Sequence, residues 1–119
     1  MIFYVDGSCV NDGSASAAGG FGVVGIIDDV GIYYYSEGCS SSTNNREELK
    51  AILHVIRKFG DCNPVVYSDS AYCVNIYTKW MFNWERNGWV TMTDKKTPDN
   101  LDIIQEFYDL YDKGYTVNL

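Results

Sequence analysis

The sequence predicts an α/β fold, a mixed five-stranded sheet with helices packed on it. Three observations carry this. Residues 2–37 hold three short apolar runs separated by Gly, Ser and Asp turn residues, the pattern of an antiparallel meander. A segment of helical period follows and reaches Phe59. Beyond it, apolar strand-like runs alternate with helical ones, so the element order reads β-β-β-α-β-α-α-α-β. At 119 residues, the chain is expected to form a single domain over residues 1–119, with room for one core but not two.

Residues 2–5 (Ile-Phe-Tyr-Val) are apolar on both faces, as in a central strand covered on both sides. Asp6-Gly7-Ser8 is expected to end that strand. The Gly/Ser/Ala-rich stretch at residues 13–20 reads as a turn into a second strand at 21–27. Asp28-Asp29-Val30-Gly31 is a hairpin turn into a third strand at 32–37. Ser40 to Thr43 forms a polar loop, and Thr43 or Asn44 can cap the helix behind it. With Asn44 as the cap, Glu47 falls at the third helical position, a variant of the capping box. Gly60 stops the helix.

Residues 64–67 make a fourth strand. The helix between it and the first strand allows the two to lie parallel and adjacent through a right-handed crossover. Ser68-Asp69-Ser70 leads into a short helix to Thr78, and residues 79–86 continue helically after a break. Asn87-Gly88 is a turn, and residues 90–96 form an irregular basic loop. Thr97 as cap and Pro98 at the first position open the last helix, with Leu101, Ile104, Tyr108 and Tyr111 as its apolar stripe. Residues 115–119 read as a fifth strand.

Composition narrows the function. Hydrophobic residues are 46% and charged residues 21%, which is ordinary globular usage and argues against disorder. Sixteen acids against nine Lys and Arg give −7, an average that points away from nucleic acid, whose phosphates bind Lys and Arg. No run approaches a membrane helix, and no basic, apolar, small-residue leader pattern opens the chain, so a cytoplasmic location is expected. Cys9, Cys39, Cys62 and Cys73 include no C-x-x-C pair, which disfavours zinc, and a reducing compartment disfavours disulfides.

Three carboxylates could share a metal. Asp6 and Asp69 each sit just past the carboxyl end of an apolar strand, and adjacent parallel strands bring such positions together. Taken singly, each is an ordinary turn or cap residue. On the first helix, Glu47, Lys50, His54 and Arg57 form a polar stripe, whereas Glu48 lies beside the apolar face of Leu49, Leu53 and Ile56. A carboxylate on that margin needs a cationic partner to offset its desolvation, so Glu48 is the third candidate. Glu47 is expected to be a solvated first-turn residue. Three oxygen donors suit Mg²⁺ or Mn²⁺. His54 lies about 120° around the helix from Glu48 and is expected to be a surface residue.

Residues 79–89 hold all three tryptophans, and residues 79–96 hold four of the nine basic residues. Trp80 and Trp84, four apart on a helix, suit either a small aromatic core or a ridge of rings and cations along a nucleic-acid backbone. The two readings are compatible.

These residues together carry a family pattern. The chain resembles type 1 ribonuclease H through Tyr4-Val5-Asp6-Gly7-Ser8-Cys9, Gly19-Gly20-Phe21-Gly22 and Thr43-Asn44-Asn45-Arg46-Glu47-Glu48-Leu49. The pattern continues with Ser68-Asp69-Ser70-Ala71-Tyr72, the Trp80, Trp84 and Trp89 segment, Asp94-Lys95-Lys96 and Asn100-Leu101-Asp102. The resemblance implies a ribonuclease H-like sheet with parallel fourth and fifth strands. It implies hydrolysis of the RNA strand of an RNA–DNA hybrid by a two-metal-ion mechanism using Mg²⁺, with Mn²⁺ as a substitute. Asp6, Glu48 and Asp69 match metal-binding catalytic carboxylates. Cys9, Asn44 and Asn45 match positions near the RNA strand, Thr43 a residue at a DNA phosphate, Trp80 and Trp84 the DNA-channel aromatics, and Lys95 and Lys96 part of a basic handle.

The chain departs from the family pattern at Val10-Asn11-Asp12-Gly13, at Ala71 and at Glu85. The family continues past its fifth strand with a loop carrying a histidine and a helix carrying a fourth carboxylate, and Leu119 precedes both. A domain of that length is expected to leave one sheet face partly bare, a surface for a homodimer or for completion by another chain. The alternative to an active nuclease is a catalytically impaired module of the same fold that binds nucleic acid or a protein partner.

Overall fold

The computed structural model describes residues 1–10, 18–29, 31–91 and 95–119. The turn residues 11–17, Val30 of the hairpin turn and residues 92–94 of the basic loop, Asp94 among them, lie outside the described residues, so the turn readings there stay expectations. Three long strands come first: β1 (Ile2–Val10), β2 (Ala18–Ile27) and β3 (Gly31–Ser40). Helix α1 (Asn44–Phe59) leads through a short 3₁₀ turn (Gly60–Cys62) into β4 (Val65–Tyr67). Then come α2 (Ala71–Asn75), a π-helical turn (Ile76–Trp80), α3 (Met81–Arg86) and α4 (Leu101–Asp112).

The sheet order is β3-β2-β1-β4. The first three strands form the antiparallel meander, and β4 lies parallel to β1 from Ile2↔Val65 to Tyr4↔Tyr67. This is the crossover arrangement that the sequence order allows. All three long strands are longer than expected, β1 at its end, β2 at its start and β3 at both. In particular, Asp6-Gly7-Ser8 does not stop β1, because β2 goes on pairing with it to Val10↔Ala18. Hydrogen bonding along a long hairpin overrides the local turn preference of Asp-Gly-Ser.

The expected fifth strand is reduced to one parallel bridge, Val65↔Asn118. Val66 N–H donates to the Asn118 carbonyl at 2.9 Å, and Asn118 N–H to that of Pro64 at 2.9 Å. Val117 is buried, and its N–H donates to the Tyr77 hydroxyl at 3.2 Å. Residues 115–119 are therefore docked at the outer edge of β4 in the expected direction, without a strand's length of pairing.

Alternation along the strands sends Phe3, Val5, Phe21 and Val23 to one face, where α1 covers them with Leu49, Ile52, Val55 and Ile56. Phe3 packs over its cross-strand partner Gly25, where a Cβ would meet the ring at 2.2 Å. α4 lies against α1. Its start differs from expectation: Thr97-Pro98-Asp99 precede the helix, and Asn100 stands at the N-cap in the left-handed region (φ 62). Its buried residues are Ile103, Ile104 and Phe107, so of the expected stripe Ile104 is buried, Leu101 and Tyr108 are half-buried and Tyr111 is exposed, with Phe107 meeting Tyr77 edge-on. The expected break before residue 79 is a π turn that keeps the helix continuous from Ala71 to Arg86. No described helix is long and apolar enough to cross a membrane.

Candidate active site

The register of β1 and β4 builds the site. Their parallel pairing ends at Tyr4↔Tyr67, and Asp6 and Asp69 each stand two residues further on. Past that point no described strand pairs with β1 on its β4 side, and its Gly7 N–H is taken by the Glu48 carboxylate at 2.6 Å. Gly7 is where α1 crosses β1. A Cβ there would sit 2.4 Å from the Glu47 carbonyl carbon and 2.4 Å from the Glu48 nitrogen, so only glycine lets the helix come this close. The second Glu48 oxygen accepts from the Ser68 hydroxyl at 2.8 Å. Ser68 Oγ also accepts the Ser70 N–H at 3.2 Å, and Ser70 caps α2. Asp69 is thus held between two serines in a tight turn.

Donor oxygens of Asp6, Glu48 and Asp69 all lie within 4.8 Å of one another. Asp6 and Asp69 are exposed and Glu48 is buried. Burial raises the Glu48 carboxyl above its ordinary value, its hydrogen bonds from Ser68 and Gly7 oppose this, and the charges of Asp6 and Asp69 add to the rise. Three hard oxygens in one cluster, one of them buried among acids, form a donor set that fits a divalent cation.

Beside the carboxylates lies the turn from β3 into α1. Cys9 N–H donates to the Asn44 Oδ1 at 2.6 Å, and its thiol to the Ser42 carbonyl at 3.1 Å. Thr43 is the N-cap of α1, its hydroxyl accepting Arg46 N–H at 3.1 Å. Asn44 and Asn45 are exposed. Arg46 forms a bidentate pair with Asp102, at 3.0 and 2.7 Å, and donates to Asn100 at 3.3 Å. Thr43, Asn45, Tyr72, Asp99 and Asn100 line one pocket. Cys73 is buried under Asn45, and burial pushes its thiol up to about 11, so it is an unreactive packing residue at neutral pH.

The half-buried rings of Trp80 and Trp84 lie 6.0 Å apart, with Tyr72 edge-on to Trp80 at 5.8 Å. They pack against the core while staying half-buried, as the aromatic-core reading expects. Lys95 and Lys96 are exposed at the end of the basic loop, whose base is closed by Thr91 N–H to the Lys96 carbonyl at 2.8 Å.

Two expectations on α1 are corrected. Glu47 is fully buried, not solvated, because its side of the helix faces β2 rather than solvent. His54 is not a simple surface residue. It stacks on Tyr35 with centroids 4.0 Å apart and meets the Tyr33 hydroxyl at 2.6 Å. Desolvation, with Lys58 nearby, lowers its pKa. It plays no part in the carboxylate cluster. Sequence reasoning also missed Ser68 and the Gly7 amide, although Ser68 was visible as the residue before Asp69.

Known proteins resemble the chain in sequence and in fold. Residues 1–118 match the RNase H family. The chain is 34% identical over 126 residues to the ribonuclease H of Marinobacter nauticus, covering 99% of this chain and 77% of that one. Its fold is similar to LC9-RNase H1, described as a type 1 RNase H with the type 2 active-site motif. That likeness has a TM-score of 0.76 and 26% identity and covers 98% of this chain and 59% of the other. It is also similar to part of a foamy viral protease-reverse transcriptase solved in complex with RNA/DNA hybrid. There the TM-score is 0.82 at 19% identity, covering 98% of this chain and 16% of that one. By sequence match and by fold, the chain belongs to the ribonuclease H family, as a type 1 endoribonuclease of that kind.

Proposed function

We propose that the protein hydrolyses the RNA strand of RNA–DNA hybrids, using divalent metal held by Asp6, Glu48 and Asp69. The observation that carries this reading is the convergence of three carboxylates where β1 outruns β4, in a chain of this family. Mg²⁺ is the ion this donor set suits best, with Mn²⁺ as a substitute. Two such ions, when bound, lower the pKa of an attacking water and stabilise the leaving oxygen of a phosphodiester.

The chain's own residues do the rest. The Gly7 amide and the Ser68 hydroxyl orient Glu48, so that its carboxylate faces Asp6 and Asp69. Cys9, Asn44 and Asn45 stand where the RNA strand and its 2′-hydroxyls would be read. In this reading Thr43 would hold a DNA-strand phosphate, Trp80 and Trp84 would run along the same strand, and Lys95 and Lys96 would supply basic charge to the backbone. Four free thiols fit a reducing, cytoplasmic setting.

Cleavage of a labelled hybrid with Mg²⁺, and again with Mn²⁺, tests the reading. Asp6→Asn should lower the rate at least about a hundredfold, with the fold intact. Hybrid binding without turnover would leave the second reading, a nucleic-acid-binding module of this fold. A homodimer, or completion by another chain, is the partner reading favoured by the exposed apolar sheet face of Tyr4, Val24, Ile26, Ile32, Tyr34 and Tyr67. Sedimentation of the purified protein against concentration tests self-association.

A further inference from the structure

Glu47 is a buried carboxylate that the proposed chemistry does not use. Its side chain has no solvent exposure, yet it faces the sheet at a position where an aliphatic residue would pack. Its place is prepared by Gly19 of β2, where a Cβ would come within 3.1 Å of the Glu47 side chain. Among the described residues, two partner the carboxylate. The Ser42 hydroxyl donates to it at 2.5 Å, and Lys50 Nζ lies 3.0 and 3.3 Å from its two oxygens.

The Ser42 bond matters because of where Ser42 sits. Ser41 before it has φ 55, a left-handed conformation that a side chain disfavours. Thr43 after it caps α1, and exposed Asn44 and Asn45 follow. Ser42 itself is buried, and its carbonyl receives the Cys9 thiol. The Glu47 carboxylate therefore draws Ser42 inward, holds the strained turn at Ser41 and fixes the backbone from which Asn44 reaches the Cys9 amide. Buried ionic groups are seldom the most stabilising choice at a site, and they are well suited to fixing one geometry.

We propose that Glu47, through Ser42, is a positioning residue that sets the shape of the Ser42 to Asn45 turn, and with it the preference for an RNA–DNA hybrid over a DNA duplex. The inference rests on the hybrid-cleaving reading above. Ribose and deoxyribose differ by one hydroxyl, so a turn that reads it must be placed to well under an ångström, and small displacements at such a site are costly.

The test is steady-state cleavage of a hybrid, together with competition by DNA duplex of the same sequence, for the unmodified protein and four variants. Ser42→Ala and Glu47→Met should raise KM about tenfold while leaving kcat within about threefold, and should narrow the hybrid-over-duplex affinity ratio about tenfold. Glu47→Gln keeps an acceptor for the Ser42 hydroxyl and should keep most of the ratio, as should Ser42→Thr. A merely structural role would weaken both ligands alike and leave the ratio unchanged. Melting curves of each variant show that it is folded, and Ser42→Ala, the smallest change, carries the result if Glu47→Met does not fold. An undiminished ratio in Ser42→Ala, with the unmodified protein preferring hybrid, overturns the inference alone. Absence of any hybrid preference in the unmodified protein overturns the underlying reading and the inference together.

Discussion

The two faces of the sheet are built from alternate residues of the same strands and have opposite fates. On one, Phe3, Val5, Phe21 and Val23 are buried beneath α1. On the other, Tyr4, Val24 and Tyr34 form one row of cross-strand neighbours and Ile2, Ile26 and Ile32 the next, and most of these stay exposed. Toward the site this open face turns polar and shallow, through the rows Asp6, Gly22, Ser36 and Ser8, Gly20, Gly38. The comparison teaches how the carboxylate cluster is assembled. By alternation Asp6 belongs to the open face, and Glu48 comes from the helix on the covered one. They meet only because β4 stops at Tyr67 and leaves a gap in the sheet, into whose margin Asp69 turns. The covered face supplies rigidity, and the open face supplies access.

Two substitutions on the covered face should break this arrangement most severely. Gly7→Val places side-chain carbons where α1 already lies, and the helix cannot yield without moving Glu48. We expect a loss of more than about 4 kcal/mol, outside the usual range of point mutations, and no cleavage activity. Denaturant unfolding and circular dichroism check it. Phe3→Ala removes a fully buried ring that contacts Tyr33 and Phe59 at centroid distances of 6.1 and 4.7 Å. It should cost about 3–5 kcal/mol, read from the unfolding midpoint.

How much of this was legible in the sequence follows the same division. Along α1 the covered face could be read, because helical periodicity is a local signal, but residues 2–5 looked covered on both sides, whereas Tyr4 is 51% exposed on the other face. The carboxylates Asp6 and Asp69 could be paired because a βαβ crossover fixes their relation. What sequence reasoning got wrong lay where long-range pairing overrides local preference. Asp-Gly-Ser looked like a turn and is mid-strand, with Gly7 answering to the helix across it rather than to a bend. Glu47 looked solvated from its charge, but its surroundings on β2 are set by Gly19 and by the strained turn at Ser41. The start of α4 was misplaced because Pro98 is a good first residue for a helix and Asn100 in a left-handed conformation leaves no side-chain cap to read. The fifth strand failed to extend because residues 115–119 have only the three-residue β4 to pair with.

A smaller effect sharpens the boundary between the faces. Burial raises the Glu48 carboxyl, as do Asp6 and Asp69, against the opposing bonds from Ser68 and Gly7. A raised folded-state pKa means the folded protein binds this proton more tightly than the unfolded chain does. Its contribution is fully present below the unfolded value and is lost as pH rises through the folded one. Without divalent metal, Glu48 therefore weakens the fold at neutral pH. Glu48→Gln should abolish cleavage yet raise stability at pH 7 by about 0.5–2 kcal/mol, a gain that shrinks toward pH 4. Addition of Mg²⁺ should raise the melting temperature of the unmodified protein and leave that of the variant nearly unchanged. Equal melting of the two metal-free proteins at pH 7 would count against the burial argument.

The least disruptive change lies on the open face. Tyr34 is 74% exposed, and its neighbours in the row, Val24 and Tyr4, are about half exposed. Its ring has little buried area to lose, so Tyr34→Ser should change stability by no more than about 0.5 kcal/mol, roughly a tenth of the Phe3→Ala effect one residue row away. Solubility should respond differently. A contiguous patch of exposed Tyr, Ile and Val is the kind of surface through which proteins associate, and breaking it with a small polar residue at the centre of β3 should lower concentration-dependent self-association. Paired melts and sedimentation runs on the two variants separate the effects. Unchanged association in Tyr34→Ser would mean that the open rings, although apolar, are not a contact surface, and a large loss of stability would mean that the face is not as open as its exposure indicates.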